Sequence, residues 1–420
     1  MKDGPAPDRT RKLKKNIYKY YFAMFFRNMW ISMPVGILYF LERGLTFFQM
    51  GVLEAIIGGV VIISDVPSGA FADIFGRKLS TGLGMFLWGA GLIIIGMSTE
   101  FSVYLIVSVM WGLSDSLISG AEKALFYDTL KELNQEDQYI KYIGRKDVLG
   151  AVAIIVSAIL GGILYTINIS FPFYAHGAAS IVACGFIFSM KEPTTMTRSK
   201  TVKAQYRLIV ESLHFTWKSK IVRFFTLFYI IALISPMIFV NLMEQFYLVE
   251  IGIPLVYFGL IFAFTRGVIG FFSPLRFKIE QKLGERGSFY GITIIFALMF
   301  LLMTFVIHPI GVAFLFLLFF TRDYAWTILD KYANDHIPSD KRATVLSIMN
   351  FGLNVVYIFV ALLVGYGMDH LTLFGLNSLR SVLLVLGGFS GLFILPFLYL
   401  SYQKNGVSPN AETKIEETED

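Results

Sequence analysis

The chain has 420 residues, of which 55% are hydrophobic and only 16% charged, and its mean hydropathy is +0.64. A soluble globular protein of this length cannot hide so much apolar surface, so the fitting solvent is a bilayer. The net charge of +6 then points to basic loops on one membrane face rather than to nucleic acid, and the single cysteine, Cys184, builds no disulfide framework.

Residues 1–17 are basic and lack a small-residue cleavage site after a short apolar core. They read as a cytoplasmic N-terminal segment leading into the first span. Twelve apolar segments follow, at 18–41, 46–71, 79–98, 101–127, 147–168, 171–190, 224–248, 254–275, 288–307, 309–332, 343–367 and 379–401. Each is long enough to cross a bilayer as a helix. Strands are disfavoured, because the runs are too long and do not alternate. Alternate connections collect the basic residues, among them Arg77, Lys78, Arg145, Lys146, Arg276, Lys282, Lys341 and Arg342, while the opposite loops hold only Arg43 and Arg380. This asymmetry predicts that both termini are cytoplasmic. The longest connection, 191–223, is a cytoplasmic linker that divides the spans six and six, with a surface-lying amphipathic helix expected over Gln205–Lys218. Residues 403–420 read as a disordered acidic tail. The prediction is an all-α membrane protein of twelve transmembrane helices, in two six-helix bundles at 18–190 and 224–402. A loose echo between the halves, Glu122-Lys123 with Asp128 against Asp330-Lys331 with Asp335, is compatible with duplication.

Charges inside spans are costly and mark candidate sites. They are Arg27, Glu54, Asp65, Asp115, Glu122, Lys123, Glu244, Arg266, Arg322, Asp323 and Asp330. On ideal helices Glu54 and Asp65 differ by only about 20°, and Asp115 nearly eclipses Glu122, with Ser119 on the same face. Asp115, Glu122, Glu54 and Asp65 are therefore candidates for proton or cation coupling. Arg27, Glu244, Arg266, Arg322, Asp323, Trp326, Asn350 and Asn354 are candidates for the substrate cavity. The alternative for any one of them is plain ion pairing that holds the bundle together.

The stretch SDVPSGAFADIFGRK, residues 64–78, falls at the end of the second span and the start of the third. Gly69 and Gly76 suit close approach and a sharp turn, Asp73 suits a helix cap, and Pro67 suits a bend. Gly69 to Lys78 resembles the Gly-x-x-x-Asp-x-x-Gly-Arg-Lys loop of the major facilitator superfamily. The resemblance implies the two-bundle major facilitator fold. It also implies a gating role for Gly69, Asp73, Gly76, Arg77 and Lys78, with Asp73 and Arg77 as a charge latch. The second-half copy, RFKIEQKLGERG, is poor, and the span-4 arginine and span-5 Gly-Pro of many exporters are missing. Asp65 before Pro67, with ISGAEKALFYDTLKE and IPSDKRATVLSIMN, resembles Gram-positive drug exporters such as the clostridial tetracycline exporters. What this implies is a cell-membrane transporter, not an enzyme, that exports amphiphilic drugs against protons by alternating access. Proton-coupled uptake of a small organic solute or anion is the alternative. The implied partners are a small-molecule substrate, protons and the lipid bilayer, with no nucleic acid and no obligate protein partner. The five histidines show no metal-ligand spacing and no phosphate-cradling loop is present, so no metal and no cofactor are expected.

Overall fold

The computed structural model describes residues 7–194, 214, 216–267, 272–337 and 342–405. All regular structure among them is helical. Among the described residues ten helices are long and apolar enough to cross a bilayer, and two shorter apolar helices, Met33–Glu42 and Leu255–Arg266, fall within the first and eighth expected spans. The expected surface helix at Gln205–Lys218 lies mostly outside the described residues, as do 1–6 and the tail beyond 405.

The first half runs α1 (Pro7–Arg27), α2 (Gly36–Glu42), α3 (Phe47–Phe75), α4 (Arg77–Met97), α5 (Phe101–Ile118), α6 (Ala121–Glu132), α7 (Tyr139–Ile167) and α8 (Phe171–Ser189). The second half runs α9 (Lys220–Leu242), α10 (Glu244–Glu250), α11 (Phe258–Phe262), α12 (Ser273–Phe305), α13 (Gly311–His336), α14 (Arg342–His370), α15 (Ser378–Gly388) and α16 (Leu395–Asn405).

The first, fourth and eighth expected spans are interrupted, as is the seventh, which breaks at Met243 between α9 and α10. The first breaks after Arg27, where the Asn28 side chain donates to the Met24 carbonyl at 2.7 Å and so competes with helix continuation. Pro34, which lacks an N–H, then opens a short 3-10 turn at Met33–Val35. The fourth breaks at Gly120, whose φ of +72° no helix accepts, so α5 and α6 are separate pieces. The eighth passes from α11 into a π-helical turn at Ala263–Gly267. Beyond it, α12 carries a sharp bend at Gly284, with φ 61° and ψ −169°. The third expected span starts two residues earlier than its apolar run, because Gly76 sits at the N-cap of α4 with φ +103°. Asp73 lies inside α3 and caps nothing, which corrects the capping expectation.

The described chain forms two compact units. The first comprises Met1–Val202, Gln245–Gly270 and Ala361–Gly365. Its helices meet through small residues, the usual device where lipid removes the hydrophobic drive between helices. A β-carbon on Gly89 would lie 2.8 Å from the Gly177 carbonyl oxygen, and one on Gly177 would lie 2.7 Å from that of Gly89, so α4 and α8 touch backbone to backbone. Gly112 seats α5 on the Ile57 carbonyl of α3, and Gly84 seats α4 on Ser114 of α5. Gly259 meets Ala158 of α7, and Gly51 meets the Ala361 carbonyl. Gly69, by contrast, has open space where its β-carbon would be, so it makes no close approach. Gln245 repairs the break in the first span. Its Oε1 accepts from the backbone N–H of Ile37 at 2.8 Å and of Leu38 at 3.3 Å, and its Nε2 donates to the Met33 carbonyl at 2.7 Å. Orphan groups at the start of α2 are thereby satisfied without water.

The second unit comprises Lys203–Glu244, Phe271–Val360 and Tyr366–Asp420. Aromatic packing dominates it. Phe224, Phe225 and Phe228 of α9 meet Phe289 of α12, with ring centroids 4.7 Å apart for Phe228 and Phe289. Phe397 and Tyr402 of α16 close over Phe224.

Candidate functional site

A cavity of about 170 Å³ lies inside the first unit. Its wall is Arg27 from the end of α1, Asn28, Trp30 and Met33 from the broken stretch, Met85 and Trp88 from α4, Asp115 and Ile118 from α5, and Ser180 from α8. The break in the first span makes this possible, because non-helical backbone is tolerated at membrane depth only where it is buried or lines a cavity. Asp115 has an exposed side chain facing this space. Trp88 stacks on Trp111, with centroids 4.9 Å apart and planes at 26°, which fixes the ring that the cavity sees. One cation, one carboxylate, two indoles and two thioethers suit an amphiphilic, partly aromatic guest.

Arg27 and Asp115, singled out separately in the sequence, thus share one cavity. Glu122 does not join them. The turn at Ser119–Gly120 breaks the helical phase, and the buried Glu122 accepts instead from the Tyr20 hydroxyl, beneath a Tyr20–Phe126 stack. Glu54 is half-buried on α3, and Asp65 is exposed one turn before Ser68, whose hydroxyl donates to the Asp65 carbonyl at 2.9 Å. Arg266 lies in the π-helical turn with its guanidinium 3.7 Å from the Phe262 ring centroid. Trp30, Met33, Met85, Trp88 and Ser180 were not legible as site residues, since apolar and hydroxyl side chains carry no charge signal in an oily chain. Their nearest signal is the scarcity of tryptophan, with 5 in the chain.

In the second unit, Asp323 of α13 lies between two arginines. Arg276 Nη2 approaches its Oδ2 at 3.3 Å, and Arg322 Nη2 approaches its Oδ1 at 3.2 Å. Arg276 was expected in a loop, but α12 begins before it and turns it inward, leaving its side chain 14% exposed. The Asn350, Asn354 and Tyr357 face of α14 partly turns to α9: Tyr229 donates to Asn350 at 2.7 Å, and Asn241 donates to Tyr357 at 2.8 Å. Trp326 stands edge-on to Tyr229, and Asn354 is half-buried on α14. Glu244 is buried at the start of α10.

The gating-loop residues take part in a network within the first unit. Arg77 ion-pairs with Asp128 of α6, whereas Asp73 has no ion-pair partner among the described residues. The loop arginine is thus paired with Asp128 on α6, and Asp73 takes no part in that pair. Glu192 lies over the Gly76 turn and its Oε1 accepts from Lys78 N at 3.3 Å. Burial pushes the Glu192 carboxyl above the ordinary carboxylate range, against the pull of Lys78 and Arg77. Arg9 pairs with Glu132 and also donates to the Glu192 carbonyl at 3.2 Å. Asn16 and Lys191 exchange two hydrogen bonds, at 2.8 and 2.9 Å. No group of three potential metal ligands occurs among the described residues.

The description Major Facilitator Superfamily matches residues 20–328. An uncharacterized MFS-type transporter, YxaM of Bacillus subtilis, is 26% identical over 344 residues, covering 78% of this chain and 82% of that protein. The quinolone resistance protein NorA of Staphylococcus aureus is 26% identical over 211 residues, 49% of this chain and 52% of NorA. Among solved structures, the nucleoside transporter NupG superposes with a TM-score of 0.77 at 13% identity, covering 93% of this chain and 99% of that one. A D-xylose–proton symporter superposes at 0.67 with 15% identity, covering 94% and 98%. At these identities the structures establish the fold alone. The family match, the long apolar helices and the walled intramembrane cavity together make the chain a multi-pass membrane transporter, not an enzyme, and a member of the major facilitator superfamily.

Proposed function

We propose that this transporter exports hydrophobic or amphiphilic compounds in exchange for protons, by alternating access between two six-helix halves, 18–190 and 224–402, with both termini in the cytoplasm of a cell-membrane protein. The observation that carries the reading is Asp115 on the wall of an indole-lined cavity that also holds Arg27. A carboxylate in such a place has two competing occupants, a proton and a cationic or hydrogen-bonding guest. Whichever arrives displaces the other's claim on the charge, and Arg27 supplies a counter-charge when both have left. The similarity to a quinolone resistance protein over half the chain supports export. Glu54 and Asp65, on the helix that leads to the loop motif, are further proton-handling candidates. The loop residues Gly69, Asp73, Gly76, Arg77 and Lys78 take the gating role in this reading, with the Arg77–Asp128 pair tying the loop to α6.

The test uses inside-out vesicles with a respiration-driven pH gradient. A panel of aromatic amphiphiles, tetracycline included, is added and collapse of the gradient is followed. Collapse by one compound, absent in Asp115→Asn vesicles with equal protein content, is the expected result. Transport by Asp115→Asn at the wild-type rate removes Asp115 from coupling. Net accumulation of a solute inside intact cells reverses the direction and favours uptake.

A further inference from the structure

The polar cluster on α12 and α13 is not explained by the first-unit cavity. Asp323 lies midway along α13, and a single carboxylate there serves two guanidiniums. Both contacts, at 3.3 and 3.2 Å, exceed the roughly 2.7–2.9 Å of a well-formed charge-assisted bond. Arg276 is under-used. Among the described residues its Nη1 reaches only Thr327 Oγ1, at 3.4 Å, and its buried Nε–H has no hydrogen-bond partner. The buried hydroxyl of Thr321, beside Arg322 in sequence, also lacks one among the described residues. Unmade hydrogen bonds on a buried guanidinium are costly and need a reason. Meanwhile Asp323 shows what the space accepts, a planar two-oxygen anion with one oxygen turned to each arginine.

We propose that Arg276, Arg322 and Asp323 form a carboxylate-binding subsite, and that the compounds this transporter carries bear a carboxylate head group, as anions or zwitterions. The guest carboxylate takes the Arg276 fork, including its Nε–H, and Asp323 retreats to Arg322. Asp323 thus holds the two arginines in register while the subsite is empty and competes with the guest when it arrives. The subsite deepens the proposed export and rests on that reading for the direction of movement, but binding at Arg276 does not depend on proton coupling.

The experiment is equilibrium binding to the purified full-length protein in detergent, at fixed pH and with no gradient. The probes are dansylglycine and its neutral amide, which share the ring and differ in the carboxylate. Wild type is expected to bind the acid about tenfold more tightly than the amide. Arg276→Gln is expected to bring the two to within about twofold by weakening only the acid, and Arg276→Lys, which keeps charge but not the fork, to fall between. Asp323→Asn is expected to tighten the acid by removing its internal competitor. Each variant is first shown to be monodisperse, and Arg276→Lys serves as the reading if Arg276→Gln does not fold. Because the assay imposes no gradient, loss of proton coupling in the vesicle experiment leaves it unaffected, so failure of the export reading and failure of this subsite are told apart. Equal affinity for acid and amide in wild type, no binding of the acid, or a preference that survives at Arg276→Gln each overturns the proposal. An unchanged acid affinity in Asp323→Asn removes Asp323 from the subsite.

Discussion

Arg77 and Asp128 form a nearly buried ion pair across 51 residues of sequence, and Glu280 and Lys331 form one across the same 51 residues with the charges reversed. In each unit the pair joins the stretch beside a positive-φ glycine, Gly76 or Gly284, to a later helix. The environments differ. Side-chain exposure is 14% and 4% in the first pair but 46% and 11% in the second. Removing one member of a buried pair strands the other charge, whereas a half-exposed lysine simply returns to water. Asp128→Asn is expected to cost about 3 kcal/mol, and Lys331→Gln about 1 kcal/mol or less. Thermal melting in detergent checks the order. A larger loss for Lys331→Gln would contradict it.

The contact between α4 and α8 predicts a local intolerance to volume. A methyl on Gly177 meets the Gly89 carbonyl at 2.7 Å, whereas Gly185, two turns further along α8, has nothing within 4 Å. Gly177→Ala is expected to destabilise by about 1–3 kcal/mol, and Gly185→Ala to be near neutral. Fluorescence-detected size exclusion after heating reads the difference directly.

Glu192 gives a pH dependence with a definite sign. Burial raises its folded-state carboxyl above the unfolded value of about 4.3, so the folded protein holds this proton more tightly than the unfolded chain. Its stability contribution is complete below that value and is lost as pH rises through the raised one. The charged groups facing it are Lys78, Arg77 and Arg9. Melting temperature measured from pH 4 to 7 is expected to fall more steeply with rising pH in wild type than in Glu192→Gln. Parallel curves would show that Glu192 is not a source of the slope.

Glu122 and Asp115 are expected to separate in function although they are neighbours in sequence. Glu122→Gln keeps an oxygen to accept from Tyr20 and leaves the cavity wall intact. Transport by Glu122→Gln is expected within about twofold of wild type, because a preserved hydrogen bond loses little. Abolished transport with normal expression would return Glu122 to the coupling machinery.

Trp88 is expected to set affinity for aromatic, cationic guests. Its ring lines the cavity and is braced by Trp111. Trp88→Leu keeps bulk and removes the π face, so half-saturation by an aromatic cation should rise about three- to thirtyfold. A matched aliphatic cation should move much less.

The hydropathy pattern alone determined the fold class and the existence of the spans, because about 20 apolar residues in a row have few other destinations. It also supplied the loop motif and the costly intramembrane charges, since each is a local property of composition. Helical phase extended over 115–122 failed because one positive-φ glycine resets the phase, and no periodicity argument sees the reset. The broken first span, its repair by Gln245 from the other half of the sequence, and the inward turn of Arg276 were decided only by the tertiary structure. Gln245 lies 208 residues from Ile37. The physical reason is the same in each case: a polar group buried in an apolar surrounding is satisfied by whatever partner the packing brings to it, and that partner is fixed by proximity in space, not in sequence.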